Sequence, residues 1–175
     1  GLTYPLLMIF LVAASTNAVN LTDGIDGLAA GTAIIALAAY TCIAFLIGSG
    51  SLVLFGTALI GALAGFLIYN RNPARVFMGD AGSLALGGAL AALAVLTKTE
   101  LLLVIIGGVF VIETLAVVAQ VLSFRLLGRR ILKMAPLHHH YELKGWSECK
   151  VVIVFWTVAA LLALGGVLIF SLRSA

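Results

Sequence analysis

The chain has 175 residues, 63% of them hydrophobic and 10% charged, with a formal net charge of +3. Its mean hydropathy is +1.22. This excludes an ordinary soluble domain, because several runs reach the roughly 20 apolar residues that cross a hydrocarbon layer. No period-two alternation marks a transmembrane barrel. The expected fold is an all-α polytopic membrane protein, a single integral-membrane domain over 1–175 whose backbone polar groups are satisfied inside helices. The chain starts at Gly1 with no basic flank before its first apolar run. No signal peptide is read there, and the sequence is expected to be a piece of a longer protein.

Six spans follow in order. The first runs over 2–19 and the second over 28–47. The turn Gly48-Ser49-Gly50-Ser51 leads into a third span over 52–69, an antiparallel neighbour of the second. Pro73 breaks the linker after Asn70, and a short fourth span covers 82–96. Lys98-Thr99-Glu100 is a polar turn before the fifth span, 101–124. A long polar segment reaches Lys150, and the sixth span fills 151–172. Gly61 and Gly65, and Gly87 with Gly88, are the small residues that let helices approach closely in lipid. Cys42 and Cys149 give no disulfide framework.

Charge sets the expected orientation. The linkers at 20–27, 70–80 and 124–150 fall on one side if spans alternate in direction. That side carries Arg71, Arg75, Arg125, Arg129, Arg130, Lys133, Lys144 and Lys150, against Lys98 and Arg173 on the other. The side rich in Lys and Arg is expected to be cytoplasmic. Residues 124–135 mix basic and apolar types and read as a segment lying against anionic membrane lipid. No nucleic-acid partner is expected.

Three polar clusters share that face. Asn17 to Gly27 holds the amides Asn17 and Asn20, the carboxylates Asp23 and Asp26 and the glycines Gly24 and Gly27, between long apolar runs. Ionisable groups at a bilayer are costly and suggest function. Asp23 and Asp26 also suit the start of the second span as caps, but a cap uses one carboxylate and leaves the amides without a role. Asp and Asn oxygens suit a hard cation such as Mg²⁺, and glycines let a ligand approach the backbone. The second cluster is Phe77-Met78-Gly79-Asp80-Ala81-Gly82-Ser83, with Asp80 at a span start. Phe77 is either an interfacial anchor or a stacking platform. The third is Pro136-Leu137-His138-His139-His140-Tyr141. Adjacent histidines do not have zinc-site spacing. They suit contact with phosphate oxygens, or form a solvated loop. Glu113, buried in the fifth span, is left unassigned. Carboxylates, amides and imidazoles at a membrane surface suit phosphoryl-type transfer between a soluble and a lipid substrate. A transporter with ion-coupling acids is the alternative class, although these acids sit at span ends.

Asn17 to Ala29, Val76 to Leu84, and Met134 to Tyr141 followed by Gly145-Trp146 and Phe155-Trp156 resemble the phospho-N-acetylmuramoyl-pentapeptide-transferase family. The likeness runs over essentially the whole chain and matches the family's C-terminal half. It implies an expected ten-helix fold, usually dimeric, in the bacterial inner membrane with its site on the cytoplasmic face. It also implies transfer of phospho-MurNAc-pentapeptide from UDP-MurNAc-pentapeptide to undecaprenyl phosphate, with Mg²⁺, giving lipid I and UMP for peptidoglycan synthesis. Asp80 and Asn20 match metal-holding positions. Asp23, Gly24, Asp26, Asn70, Phe77, Gly79 and His139 match substrate-binding positions, with Phe77 stacking on the uracil. Asp23, Asp80 and His138, His139 and His140 match residues needed for activity. The Pro-Leu-His-His-His run separates this family from its relatives, the polyprenyl-phosphate N-acetylhexosamine-1-phosphate transferases, which remain the alternative. The family's adjacent aspartate pair and first helices are absent from these residues, so this half alone is expected to be inactive.

Overall fold

The computed structural model describes residues 2–174, the Ser174 side chain excepted. Among them the chain is helical throughout: α1 (Thr3–Thr22), α2 (Leu28–Leu46), α3 (Gly50–Asn70), α4 (Gly79–Leu96), α5 (Leu102–Ile106), α6 (Gly108–Leu127), α7 (Leu137–Glu142) and α8 (Glu148–Ser174). All but α5 and α7 are long and apolar enough to cross a membrane. This is part of a polytopic membrane protein.

The second helix is the hub. Leu28, Leu37, Tyr40 and Ile43 on α2 have no exposure. It packs against α3 and α8, while α1 pairs with α4. Outer faces carry bare apolar side chains such as Phe10, Leu54 and Leu161. Such faces are costly in water but suit hydrocarbon or further protein.

The α1–α4 pairing fixes the site. A Cβ on Gly87 would lie 2.4 Å from Ser15 O and 2.5 Å from Thr16 Cα, so only glycine lets these backbones touch. Ser15 Oγ donates to Gly87 O at 2.8 Å and pins the register. The same register sets the ends of both helices that carry Asn20 and Asp80. The expected contact at Gly61 and Gly65 is not made: a Cβ at either meets no described atom within 4 Å. Both face outward on α3.

The fifth span differs from the expected single helix. It breaks at Gly107, whose N–H closes onto Leu103 O at 2.8 Å while its φ of −89° and ψ of 20° leave the helical region. Two adjacent glycines weaken the helix by about 1 kcal/mol each relative to alanine. Gly108 then lets Leu162 of α8 in close, within 2.7 Å of where its Cβ would stand. Helix ends also run past the apolar runs. α1 continues to Thr22, α4 starts at Gly79 and α8 at Glu148, since backbone hydrogen bonding does not stop where hydropathy falls. Inside the polar segment, α7 forms a short helix that the sequence reading treats as loop. Its Tyr141 stacks on Trp146 with ring centroids 4.7 Å apart, holding it against the start of α8.

Candidate functional site

The three polar linkers meet at one end of the bundle. Between the first two lies a cavity of about 320 Å³, lined by Asn20, Asp23, Gly24, Ile25, Asp26, Asn70, Phe77, Met78, Gly79 and Asp80. Both expected metal positions and every expected substrate position except His139 are in this lining. His138 and His140 are outside it as well.

Asn20 sits in the last turn of α1. Its Nδ2 donates to Asp80 Oδ1 and to Ser83 Oγ, both at 3.0 Å, and Ser83 Oγ donates to Gly79 O at 3.0 Å. Ser83 is a site residue that the sequence reading quotes within its motif and gives no role. Gly79 takes a φ of +67° to turn the chain into α4, which sets Asp80 in the first turn, where the helix dipole favours an anion. With the Asn20 amide nitrogen engaged, its carbonyl oxygen stays available.

Asp23 and Asp26 do not cap α2. The residue at that cap is Gly27, which has no side chain to cap with. Asp26 instead accepts Ala74 N–H at 2.8 Å and Asn72 Nδ2 at 3.4 Å. Asn72 Nδ2 also donates to Glu148 Oε2 at 2.6 Å, tying α8 in. Asp23 faces the cavity. Burial, then the charge of Asp80, hold its carboxyl above the usual carboxylate range, against a lowering by the Gly79 backbone. Two carboxylates this close repel. A cation between them relieves that repulsion, and Asp23, Asp80 and the Asn20 carbonyl form an all-oxygen donor set suited to Mg²⁺, which keeps its other positions for water and phosphate.

Asn70 is buried at the end of α3 and uses its whole amide on backbone. Oδ1 accepts Gly27 N–H at 3.1 Å and Nδ2 donates to Val76 O at 3.0 Å. It joins the loop before α2 to the linker before α4. Phe77 on that linker is 74% exposed, one ring face open beside the acids.

The histidines divide. His138 has no exposure and lies behind Gly24, where a Cβ would come within 2.2 Å of its Nε2. His139 Nδ1 lies 2.6 Å from Glu142 Oε2. His140 Nδ1 accepts Lys133 N–H at 3.0 Å. Desolvation, then Lys144 and Lys133, hold His140 below the usual imidazole range. Only His139 and His140 reach solvent.

A family profile described as glycosyl transferase family 4 matches residues 1–98. Proteins named phospho-N-acetylmuramoyl-pentapeptide-transferase are similar along nearly the whole chain. The one from Anoxybacillus flavithermus is 58% identical over 169 residues, 97% of this chain and 52% of its own length. The one from Geobacillus kaustophilus is 59% identical over the same share. That of Moorella thermoacetica is 56% identical over 172 residues, 98% of this chain and 54% of its own. The chain spans about half the length of the curated relatives it matches, their C-terminal half. A membrane bundle with an acidic cavity at one end, and a profile covering residues 1–98 of 175, make this chain a member of glycosyl transferase family 4.

Proposed function

We propose that the protein is a membrane phosphosugar transferase of peptidoglycan synthesis. It moves phospho-MurNAc-pentapeptide from UDP-MurNAc-pentapeptide to undecaprenyl phosphate, releasing UMP. The observation that carries this is the single cavity uniting Asp23, Asp80, Asn20 and Phe77 at the end of apolar helices. A site there serves a soluble nucleotide and a lipid acceptor together. The names of the relatives support the sugar and the pathway.

Each residue has a task in this reading. Phe77 offers its open face to the uracil. Asp26 and Asn70 hold the two linkers that form the nucleotide wall. Asp23, Asp80 and Asn20 would hold Mg²⁺, which supplies charge neutralisation of the pyrophosphate when bound. Gly79, where a Cβ would meet no described atom within 4 Å, leaves room for phosphate oxygens near the backbone, and Gly24 lines the same cavity. The lipid phosphate oxygen forms the new P–O bond to the sugar phosphate as the bond to UMP breaks. The active face is the cytoplasmic one, following the eight basic residues on that side. The working enzyme is a homodimer in the bacterial inner membrane, built with the residues that its relatives have beyond this match.

The test is UMP release from UDP-MurNAc-pentapeptide with undecaprenyl phosphate and Mg²⁺ in detergent, using the full-length protein beside residues 1–175 alone. Release by the full-length protein only is the expected result. Consumption of UDP-GlcNAc instead overturns the sugar assignment, and substrate movement without UMP release overturns the transferase.

A further inference from the structure

Glu113 is a fully buried carboxylate within the first turns of α6, and the transferase reading leaves it without a task. Its Oε2 accepts Leu137 N–H at 2.7 Å and its Oε1 accepts His138 N–H at 3.2 Å. These are the leading donors of α7, which have no partner inside their own helix. The residue before them is Pro136, which has no side-chain acceptor, so a carboxylate from another helix does the capping.

The same oxygen lies 3.3 Å from His138 Nδ1. Both ring nitrogens of His138 are buried without a hydrogen-bond partner among the described atoms. Nδ1 has the Glu113 carboxylate at this ion-pair distance, whereas Nε2 is pressed on Gly24. A buried N–H without an acceptor is costly. The ring proton therefore sits on Nδ1, facing Glu113, and leaves the Nε2 lone pair towards the loop. The contacts run from Glu113 to His138 to Gly24, and Gly24 is the neighbour of Asp23.

We infer that Glu113 is a positioning residue: through His138 it sets the loop 23–27 and so the placement of Asp23 against Asp80. His138 is then a buried strut and does not touch substrate phosphate. The inference rests on the transferase reading only for its kinetic consequence.

The test uses full-length protein in nanodiscs with Glu113→Gln, which keeps size and one acceptor, and Gly24→Ala, which displaces His138 from the other side. With ¹⁵N-labelled histidine, the wild type is expected to show the Nδ1–H form at His138, and Glu113→Gln to lose it. Hydrogen exchange is expected to quicken about tenfold at 136–143 and also at 23–27, the loss of one hydrogen bond of about 1.4 kcal/mol being a factor of ten. In Glu113→Gln the Mg²⁺ concentration for half-maximal UMP release rises, while KM for the nucleotide at saturating Mg²⁺ holds. The double variant is no worse than the poorer single one, as for residues on one line of contact. Faster exchange at 136–143 with 23–27 unchanged makes Glu113 a cap alone and overturns the inference. Losses that multiply in the double variant do the same. If no variant or wild type releases UMP, the transferase reading fails, and the spectra and exchange still decide the positioning role.

Discussion

The front and the back of the cavity are both polar, yet they are built oppositely. At the front, Asp23 and Asp80 face each other with no basic side chain bonded to either among the described residues, and Phe77 stands open. At the back, Asn70 and Glu113 are buried and spend their polar atoms on backbone groups. Buried polar groups persist when satisfied. A cluster of unneutralised carboxylates is stable only where water or a cation reaches it. The front is thus arranged for something that arrives, and the back for holding still.

That contrast is sharpened by removing one group from each side. Asp80→Asn is expected to cut UMP release by at least ~100-fold, the scale for losing an electrostatic group at a reacting phosphate, with the melting temperature unchanged. Near-normal turnover would sink Asp80 as a cation ligand. Phe77→Ala is expected to raise KM for the nucleotide by about tenfold, since base–aromatic stacking contributes ~1–3 kcal/mol. Its exposed ring leaves stability unaltered, and a fall in melting temperature without a KM change would make it a packing residue. Asn70→Ala is the mirror case. It leaves Gly27 N–H and Val76 C=O unpaired and should destabilise by ~1–3 kcal/mol for each group that stays dry, read as a lower denaturation midpoint. If it alters kinetics alone, the back is also a contact surface.

The smallest effect concerns pH. Asp23 is raised by burial and by Asp80, so it takes up a proton at higher pH than an ordinary carboxylate. Protonation removes a cation ligand. Affinity for Mn²⁺, followed by paramagnetic relaxation, should therefore fall as pH drops through that raised value. In Asp80→Asn the repulsive cause is gone, and the Asp23 titration moves down. A midpoint that does not move would remove Asp80 as a cause.

The front was legible because it breaks the hydropathy pattern. Asn20, Asp23, Asp26 and Asp80 are conspicuous between apolar runs, and alternating spans bring their linkers to one end. The back was not. Glu113 looks like an isolated acid in a span, because its partners are the backbone of a helix 24 and 25 residues away. Composition says nothing about backbone partners. The helix α7 was missed because six residues after a proline carry no amphipathic period. The break at Gly107 was hidden because glycine pairs also stand at 87–88 and 165–166 inside unbroken helices. Close packing does not separate them either, since Ser15 presses on Gly87 and Ile106 on Gly166 as Leu162 does on Gly108. The three histidines read alike in sequence, and only packing separates the buried His138 from the half-buried pair.

The bonds from Asn70 to Gly27 and Val76, and from Asp26 to Ala74, make one plate of two linkers. Phe77 rides on one linker and Asp23 on the other. A ligand that stills either linker removes part of the ordering cost for a ligand at the other. Cation and nucleotide should then bind with positive coupling, and linkage requires each to raise the affinity of the other by the same factor.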